Sequence, residues 1–490
     1  MRTAIVGGGI AGLAAAYELE KARAAGAAVE YTLFEARDRV GGSLDSEIVD
    51  GTVLERGPDS FLTEKPAAAE LCRELGLAAD LVPSNDAARK TFIVVKNRLV
   101  ALPDGLMFLV PTKLIPTATT RLFSLGTKLR MGLELLHPPR RADRGDEAVA
   151  ALVERHFGAE AVDRLADPLL SGIYGGDAAQ LSARAVLPRL VEMESEYGSL
   201  TRGMLAAHGK MRARAKASAA QNGAGNGTGA AQKGTAARAI FTTLRGGMRQ
   251  LTGALEARLG EGSVRLRTPV SGLEKVRDGW LVSAGGDAEL YDAVIMASPA
   301  WAAGVLLGPV DPELGEELGG ILYSSSITVN LVYDEAKLGP LPDGFGFLVP
   351  ASEGRAMLAC TFVHRKFLGR TPAGKAVLRA FLGGMKNEAL LTETDTALVK
   401  TVRRELREIL GIEAEPERTQ VSRWRRAMAQ YAVGHQERIG RIAARVARLE
   451  GLRLVGNAYD GIGIPDCIRL GRGAARELVA KFESRERFAG

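Results

Sequence analysis

Cysteine is scarce. The 490 residues hold only Cys72, Cys360 and Cys467, odd in number, far apart, and without a C-x-x-C pair. A disulfide framework and a zinc ribbon are excluded, and a reducing cytosol fits. The five histidines, His137, His156, His208, His364 and His435, make no H-E-x-x-H or other metal spacing, so no metal site is expected. No G-x-S-x-G nucleophile elbow and no Walker A loop occurs. No side chain stands out as a catalytic acid, base or nucleophile. Apolar runs of about 18 residues or more are missing, so a membrane-spanning helix is not expected. Met1-Arg2-Thr3 passes at once into an apolar strand-like run, which leaves no room for a leader and suggests a cytoplasmic chain.

What is present suits a soluble globular enzyme: 46% apolar and 25% charged residues. The length corresponds to about three domain-sized units. Lys and Arg number 64 against 58 Asp and Glu, a net charge of +6. That balance favours an anionic partner: nucleic acid, an acidic membrane surface or a polyanionic small molecule. Nucleic acid is not expected, because the basic residues alternate with acidic ones, as in Arg403-Arg404-Glu405-Leu406-Arg407-Glu408, rather than clustering with aromatics.

The N-terminus carries the first chemistry. Ala4-Ile5-Val6 reads as a buried strand, Gly7 to Gly12 as a turn and Leu13 to Ala24 as a helix. Gly7, Gly9 and Gly12 complete G-x-G-x-x-G. They provide the tight turn, the close approach of a pyrophosphate and the close helix–strand packing, with Ile10 and Ala11 in the turn that precedes the helix whose N–H groups face the phosphates. A second strand, Tyr31 to Phe34, ends in Glu35, 23 residues after Gly12 and near the ~20 expected for a ribose-binding carboxylate. Such a carboxylate disfavours a 2′-phosphate and hence NADP.

Glu35-Ala36-Arg37-Asp38-Arg39-Val40-Gly41-Gly42 is a second glycine turn carrying basic residues. It resembles the E-A-x-x-R-x-G-G string of the flavin amine oxidase superfamily. The resemblance implies FAD, with Arg39 reaching the diphosphate, the paired glycines Gly41 and Gly42 under the cofactor and Ser43 a further cofactor contact. Gly57-Pro58-Asp59-Ser60-Phe61-Leu62 narrows it further and is similar to the G-P-[ND]-S-F-L segment of the oxygen-dependent porphyrinogen oxidases. Pro168 to Asp177, Gly344 to Pro350 and Gly456 to Ile468 (GNAYDGIGIPDCI) match further segments of that family in order. Ala429 departs from it, standing where the family usually has proline.

The resemblance implies further cofactor neighbours: Gly57, Pro58, Asp59 and Ser60, the backbone of Val270 at adenine, and Asn457, Ile462, Gly463 and Ile464 at the flavin. Pro465-Asp466 opens a helix running to Phe482, whose positive end would stabilise the reduced flavin. On the substrate side the resemblance places Gly172, Ile173, Phe345 and Leu348 against the macrocycle. Lys65 and Arg89 are candidate propionate partners, with Lys90 the alternative to Arg89. The implied reaction is oxidation of coproporphyrinogen III, and of the related protoporphyrinogen IX, in haem biosynthesis, with oxygen as acceptor and hydrogen peroxide as product. Another flavin oxidase of the superfamily, acting on amines or polyenes, is the second reading. A dinucleotide-bound scaffold or nucleic-acid-binding protein is the third.

The expected fold is α/β with α+β elements: a Rossmann-type FAD-binding domain, a mixed-sheet substrate domain and a helical insertion. The FAD-binding domain is drawn from 1–80, 240–300 and 415–490. The helical domain covers 81–160; its basic, amphipathic stretch Leu102 to His137 either lies on a membrane surface or covers the substrate cleft. The substrate domain is drawn from 160–240 and 310–415, with 205–239, rich in Ala, Gly, Asn and Lys, expected to be a disordered insertion. Docking of a haem-pathway enzyme is left open.

Overall fold

The computed structural model describes residues 1–107, 109–139, 145–222 and 239–489. Its first layer is a five-stranded parallel sheet. Arg2–Val6 lies at the centre between Glu30–Phe34 and Ala293–Met296, with Val264–Arg265 and Leu452–Leu454 at the edges. Both faces are covered, so the strands read as continuous apolar runs rather than alternating ones. On one face lies the first helix, Ile10–Ala24, burying Leu13, Ala14, Ala15, Ala16 and Leu19. The C-terminal helix, Ile464–Ala489, packs directly against it. Gly471 permits this approach, since a β-carbon there would sit 2.1 Å from the Ala11 carbonyl oxygen. The other face is covered by an antiparallel meander, Val270–Val276, Gly279–Ala284 and Asp287–Tyr291, which buries Trp280, Val282 and Tyr291.

The second layer is a seven-stranded mixed sheet. Its order is Arg418–Ala429, Tyr323–Asp334, Lys375–Gly383, Met357–Phe362, Gly346–Leu348, Thr91–Val95 and Arg98–Ala101. Only the pairing of Gly346–Leu348 with Thr91–Val95 is parallel. Helix Asp395–Leu410 closes its outer face with Leu398, Val402 and Leu406. A helical cap built from Leu125–Leu133, Val149–Phe157, Asp167–Tyr174, Pro188–Tyr197 and Leu200–Asn222 has its own core around Leu152, Val153, Phe157, Leu165 and Leu170.

Three expectations about chain organisation are corrected. Residues 81–160 are not helical throughout, because 91–101 forms a hairpin of the mixed sheet. Phe92-Ile93-Val94-Val95 has strand-type side chains, and Lys96 and Asn97 take φ of +50° and +61°, the geometry of a type I′ turn. Arg418–Ala429, assigned to the FAD-binding domain, is instead an edge strand paired with Tyr323–Asp334. Of 205–239, residues 205–222 belong to helix Leu200–Asn222. Alanine-rich sequence favours helix, and the N-terminus is capped by the Glu134 carboxylate, which accepts from the N–H groups of Leu200 (2.6 Å) and Thr201 (3.3 Å). Residues 223–238 lie outside the described residues.

Candidate cofactor and substrate site

The glycine turn forms as its spacing requires. Gly7 takes φ +113°, and a β-carbon on it would lie 2.9 Å from the Ala297 carbonyl group. On Gly12 it would lie 2.0 Å from the Gly7 carbonyl oxygen, whereas at Gly9 it would meet nothing within 4 Å. Two glycines therefore close the turn, and the third faces open space at the N-terminus of the first helix, next to Ile10 and Ala11. Glu35 is fixed by two backbone donors: Gly8 N–H at 2.8 Å on one oxygen and Arg37 N–H at 2.9 Å on the other.

The second turn stacks on the first. Gly41 N–H donates to the Gly8 carbonyl at 2.7 Å, and the β-position of Gly42 is 3.2 Å from the Gly9 Cα. Arg39 folds back over its own turn, donating to the carbonyls of Val40 and Gly42 at 3.0 Å each and pairing with Asp45 at 3.3 Å. Ala36 and Ser43 are exposed beside it. The N–H groups of Arg267 and Thr268 donate to the carbonyls of Arg37 and Glu35, which ties the segment leading to Val270 to the end of the second strand.

Gly57 lies against Ser43, and the loop that follows is held by charge. Exposed Pro58 precedes Asp59, which accepts from Lys366 at 3.1 and 3.3 Å, from Ser60 Oγ at 2.6 Å, and lies 3.7 Å from Arg379. Burial alone would raise the Asp59 pKa, but the two cations override it and hold the carboxylate far below its usual range. Lys366 and Arg379 come from the mixed sheet and its flanking helix, some 300 residues away, and no local sequence pattern announced them.

Beyond the fifth parallel strand, Asn457 donates to the Ala427 carbonyl at 2.9 Å and its own carbonyl accepts from Tyr431 Oη at 3.0 Å. The Tyr431 hydroxyl in turn accepts from Gly461 N–H at 3.0 Å. Ile462 and Gly463 are half-buried, and Ile464 is buried as the first residue of the C-terminal helix. This loop, the Gly7–Gly12 turn and Ser298 share the crevice beyond the carboxyl ends of the parallel strands, where such sheets take dinucleotides. Two features fit FAD there. Gly9 and Gly456 face open space, and Ser298 Oγ is buried without a partner, as a group reserved for a ligand would be.

The substrate residues fall into two groups. Gly172 and Ile173 lie on helix Asp167–Tyr174, and the β-position of Gly172 is 3.3 Å from Leu348 Cδ2. Ile173 is 57% exposed. Phe345 is buried, its N–H donating to the Lys90 carbonyl at 2.8 Å. Arg89 is exposed and loosely paired with Asp86 at 3.8 Å. Lys65 stands apart from that group: its ammonium contacts both oxygens of Asp466 at 2.9 and 2.7 Å.

Helix Asp167–Tyr174 is anchored at both ends. Asp167 pairs with Lys386 at 3.0 Å through both oxygens. The Tyr174 carbonyl accepts from Gln430 Nε2 at 2.8 Å and Ser324 Oγ at 3.1 Å. A π-helical turn, Val162–Ala166, leads into it; such turns often mark functional segments. Among the described residues no cluster of His, Cys, Asp and Glu could hold a metal, and no helix is long and apolar enough to cross a membrane.

The chain resembles known proteins over nearly its whole length. The coproporphyrinogen III oxidase of Bacillus subtilis (strain 168) is 33% identical over 478 residues, 97% of each chain. That of Propionibacterium freudenreichii is 35% identical over 492 residues, 97% of this chain and 90% of its own. A crystal structure from Exiguobacterium, described provisionally as a protoporphyrinogen oxidase, superposes with a TM-score of 0.83 at 31% identity, covering 98% of this chain and 99% of that one. The family model described as flavin containing amine oxidoreductase matches residues 10–479. The chain is thus an FAD-dependent oxidoreductase and belongs to the flavin-containing amine oxidoreductase family.

Proposed function

We propose that this enzyme oxidises a porphyrinogen to a porphyrin, coproporphyrinogen III in preference to protoporphyrinogen IX, in haem biosynthesis. The observation that carries the reading is the exposed Ile173 on a helix pinned at both ends and facing Leu348: a rigid apolar wall beside the cofactor crevice. Full-length relatives named coproporphyrinogen III oxidase support the same substrate. The structural relative described as a protoporphyrinogen oxidase supports the two-propionate compound as the alternative.

Porphyrinogen to porphyrin removes six electrons and six protons. With molecular oxygen as acceptor, three oxygen molecules become three of hydrogen peroxide. FAD, when bound, supplies two-electron acceptance, which makes the conversion three rounds. The residues of the chain bind and orient. Gly172 lets Leu348 pack close against the helix, Ile173 and Leu348 exclude water from the ring faces, and Arg89 offers a propionate a charge-assisted partner. Glu35, Arg39, Asn457 and the backbone of 462–464 hold the cofactor. No side chain is assigned as acid or base.

The location proposed is cytoplasmic with peripheral contact to anionic lipid. Leu125, Leu129, Leu133 and Leu136 recur on one side of the Leu125–Leu133 helix and the turn after it, each more than half exposed, with Ile115 79% exposed nearby. Basic residues Lys113, Arg121 and Lys128 flank them. Sedimentation with anionic vesicles, lost on Leu125→Ser plus Leu129→Ser, tests the contact. Porphyrin fluorescence appearing with coproporphyrinogen III in air tests the reaction; yellow protein without that activity would redirect the search to amines and polyenes.

A further inference from the structure

Asp466 is an anion with one counter-ion. It lies in the first turn of the C-terminal helix and is 7% exposed. Its carboxylate contacts the Lys65 ammonium through both oxygens and accepts from Gly463 N–H at 3.2 Å. Among the described residues no other cation pairs with it; the neighbouring Arg469 is paired with Asp460 at 2.7 Å. Lys65 immediately precedes helix Pro66–Glu74 and arrives from 401 residues away.

The pair is built into the loop at the flavin crevice. The Asp466 side chain occupies the space over Gly461 and Gly463. A β-carbon on Gly461 would lie 2.4 Å from Asp466 Cγ, and one on Gly463 would lie 3.0 Å from Oδ2. The charge of Asp466 also reaches across to the end of the substrate helix. Burial is the main cause that pushes the Tyr174 hydroxyl up to about 12, and the Asp466 anion adds to it. A half-exposed lysine thus neutralises a buried carboxylate between the cofactor loop and the substrate wall.

We infer that the Lys65–Asp466 pair is a positioning and electrostatic element that sets the reduction potential of the bound flavin. FAD gains negative charge on reduction, so an uncompensated carboxylate close to it disfavours the reduced form and an uncompensated ammonium favours it. The pair cancels the two while fixing the backbone of 461–464. Lys65 then acts on the cofactor through Asp466, rather than only as a partner for a propionate. The inference rests on the bound flavin and not on the identity of the substrate.

The test is the flavin reduction potential of the purified holoenzyme and four variants, measured by dye equilibration without substrate, alongside FAD content. Lys65→Met is expected to move the potential to more negative values. Asp466→Asn, which keeps the shape and a hydrogen-bond acceptor, is expected to move it to more positive values. The double variant is expected to return close to the starting potential. Shifts of the same sign in both single variants, or no shift in either, would overturn the inference. So would loss of FAD from the single variants that neither Lys65→Arg nor the double variant restores, since that pattern belongs to packing alone.

Discussion

A β-carbon on Gly57 would lie 1.7 Å from the carbonyl oxygen of Ser43. The segment before Pro58 is thus in backbone contact with the second glycine turn. The mixed sheet holds it there: Trp424 Nε1 and Thr328 Oγ1 donate to the Arg56 carbonyl at 2.7 and 2.9 Å, and Arg379 donates to that of Gly57. Gly57→Ala must separate two parts of the cofactor cradle that cannot yield. Overpacking of about 1–3 kcal/mol corresponds to roughly five- to 150-fold weaker FAD binding. The flavin-to-protein absorbance ratio and a fluorescence titration of apoprotein check it; unchanged affinity would show that this contact does not shape the cradle.

Arg370 and Glu55 form a buried ion pair between the two sheets, at 0% and 3% side-chain exposure. Glu55 also accepts from Met248 N–H at 2.9 Å and Ser46 Oγ at 2.6 Å. Removing the arginine leaves a carboxylate inside the protein without its cation, a change that costs about 3–5 kcal/mol. Arg370→Met is therefore expected to lower the melting temperature sharply, and Glu55→Gln added to it is expected to recover part of the loss. Calorimetry of both variants decides; an additive pair would contradict coupling.

His156 lies between Glu134 (2.9 Å) and Glu194 (3.1 Å) in the helical cap, with Arg155 also on Glu194 and the His137 ring 5.1 Å away. Burial opposes charge on His156, but its two carboxylate partners override this and raise its pKa above 6.5. Burial likewise opposes charge on Glu194, yet His156 and Arg155 bring it down to about 2. The histidine's contribution to stability is complete below its ordinary value and fades as pH rises through the raised one. That of Glu194 is complete above 4.5 and fades as pH falls through the lowered value. His156→Gln is expected to lower the melting temperature most near about pH 5.5 and less at alkaline pH. A deficit that grows with pH would contradict the charged bridge.

Ile173→Ser removes half-exposed apolar surface that the proposed substrate would cover. A loss of about 1–2 kcal/mol of burial on binding corresponds to roughly five- to thirty-fold higher KM for a porphyrinogen, with the melting temperature unchanged. An unchanged KM would place the macrocycle elsewhere.

What could be read from the sequence was local. Gly7, Gly9, Gly12 and Glu35 lie within one strand–turn–helix–strand unit, and the structure gives them the geometry that their spacing requires. Asp466 and its helix were equally visible, because proline and an acid at a helix start are neighbours in sequence. Lys65 as its partner was not, since 401 residues separate them and Lys65 reads by itself as a candidate propionate partner. Lys366 and Arg379, which hold Asp59, were hidden for the same reason. The hairpin at 91–101 was missed although Lys96-Asn97 between apolar runs is a turn signal, and Arg418–Ala429 was placed in the wrong layer because a polar edge strand carries little hydrophobic pattern. Helix Leu200–Asn222 was misread from composition; its cap, Glu134, lies 66 residues upstream of Leu200.

The most direct test of the proposed function compares coproporphyrinogen III and protoporphyrinogen IX as substrates of the holoenzyme in air, following porphyrin fluorescence and peroxide together. Both are expected to be oxidised, with a higher kcat/KM for the four-propionate compound and three peroxides per porphyrin. Flavin-loaded, folded protein that oxidises neither would contradict it.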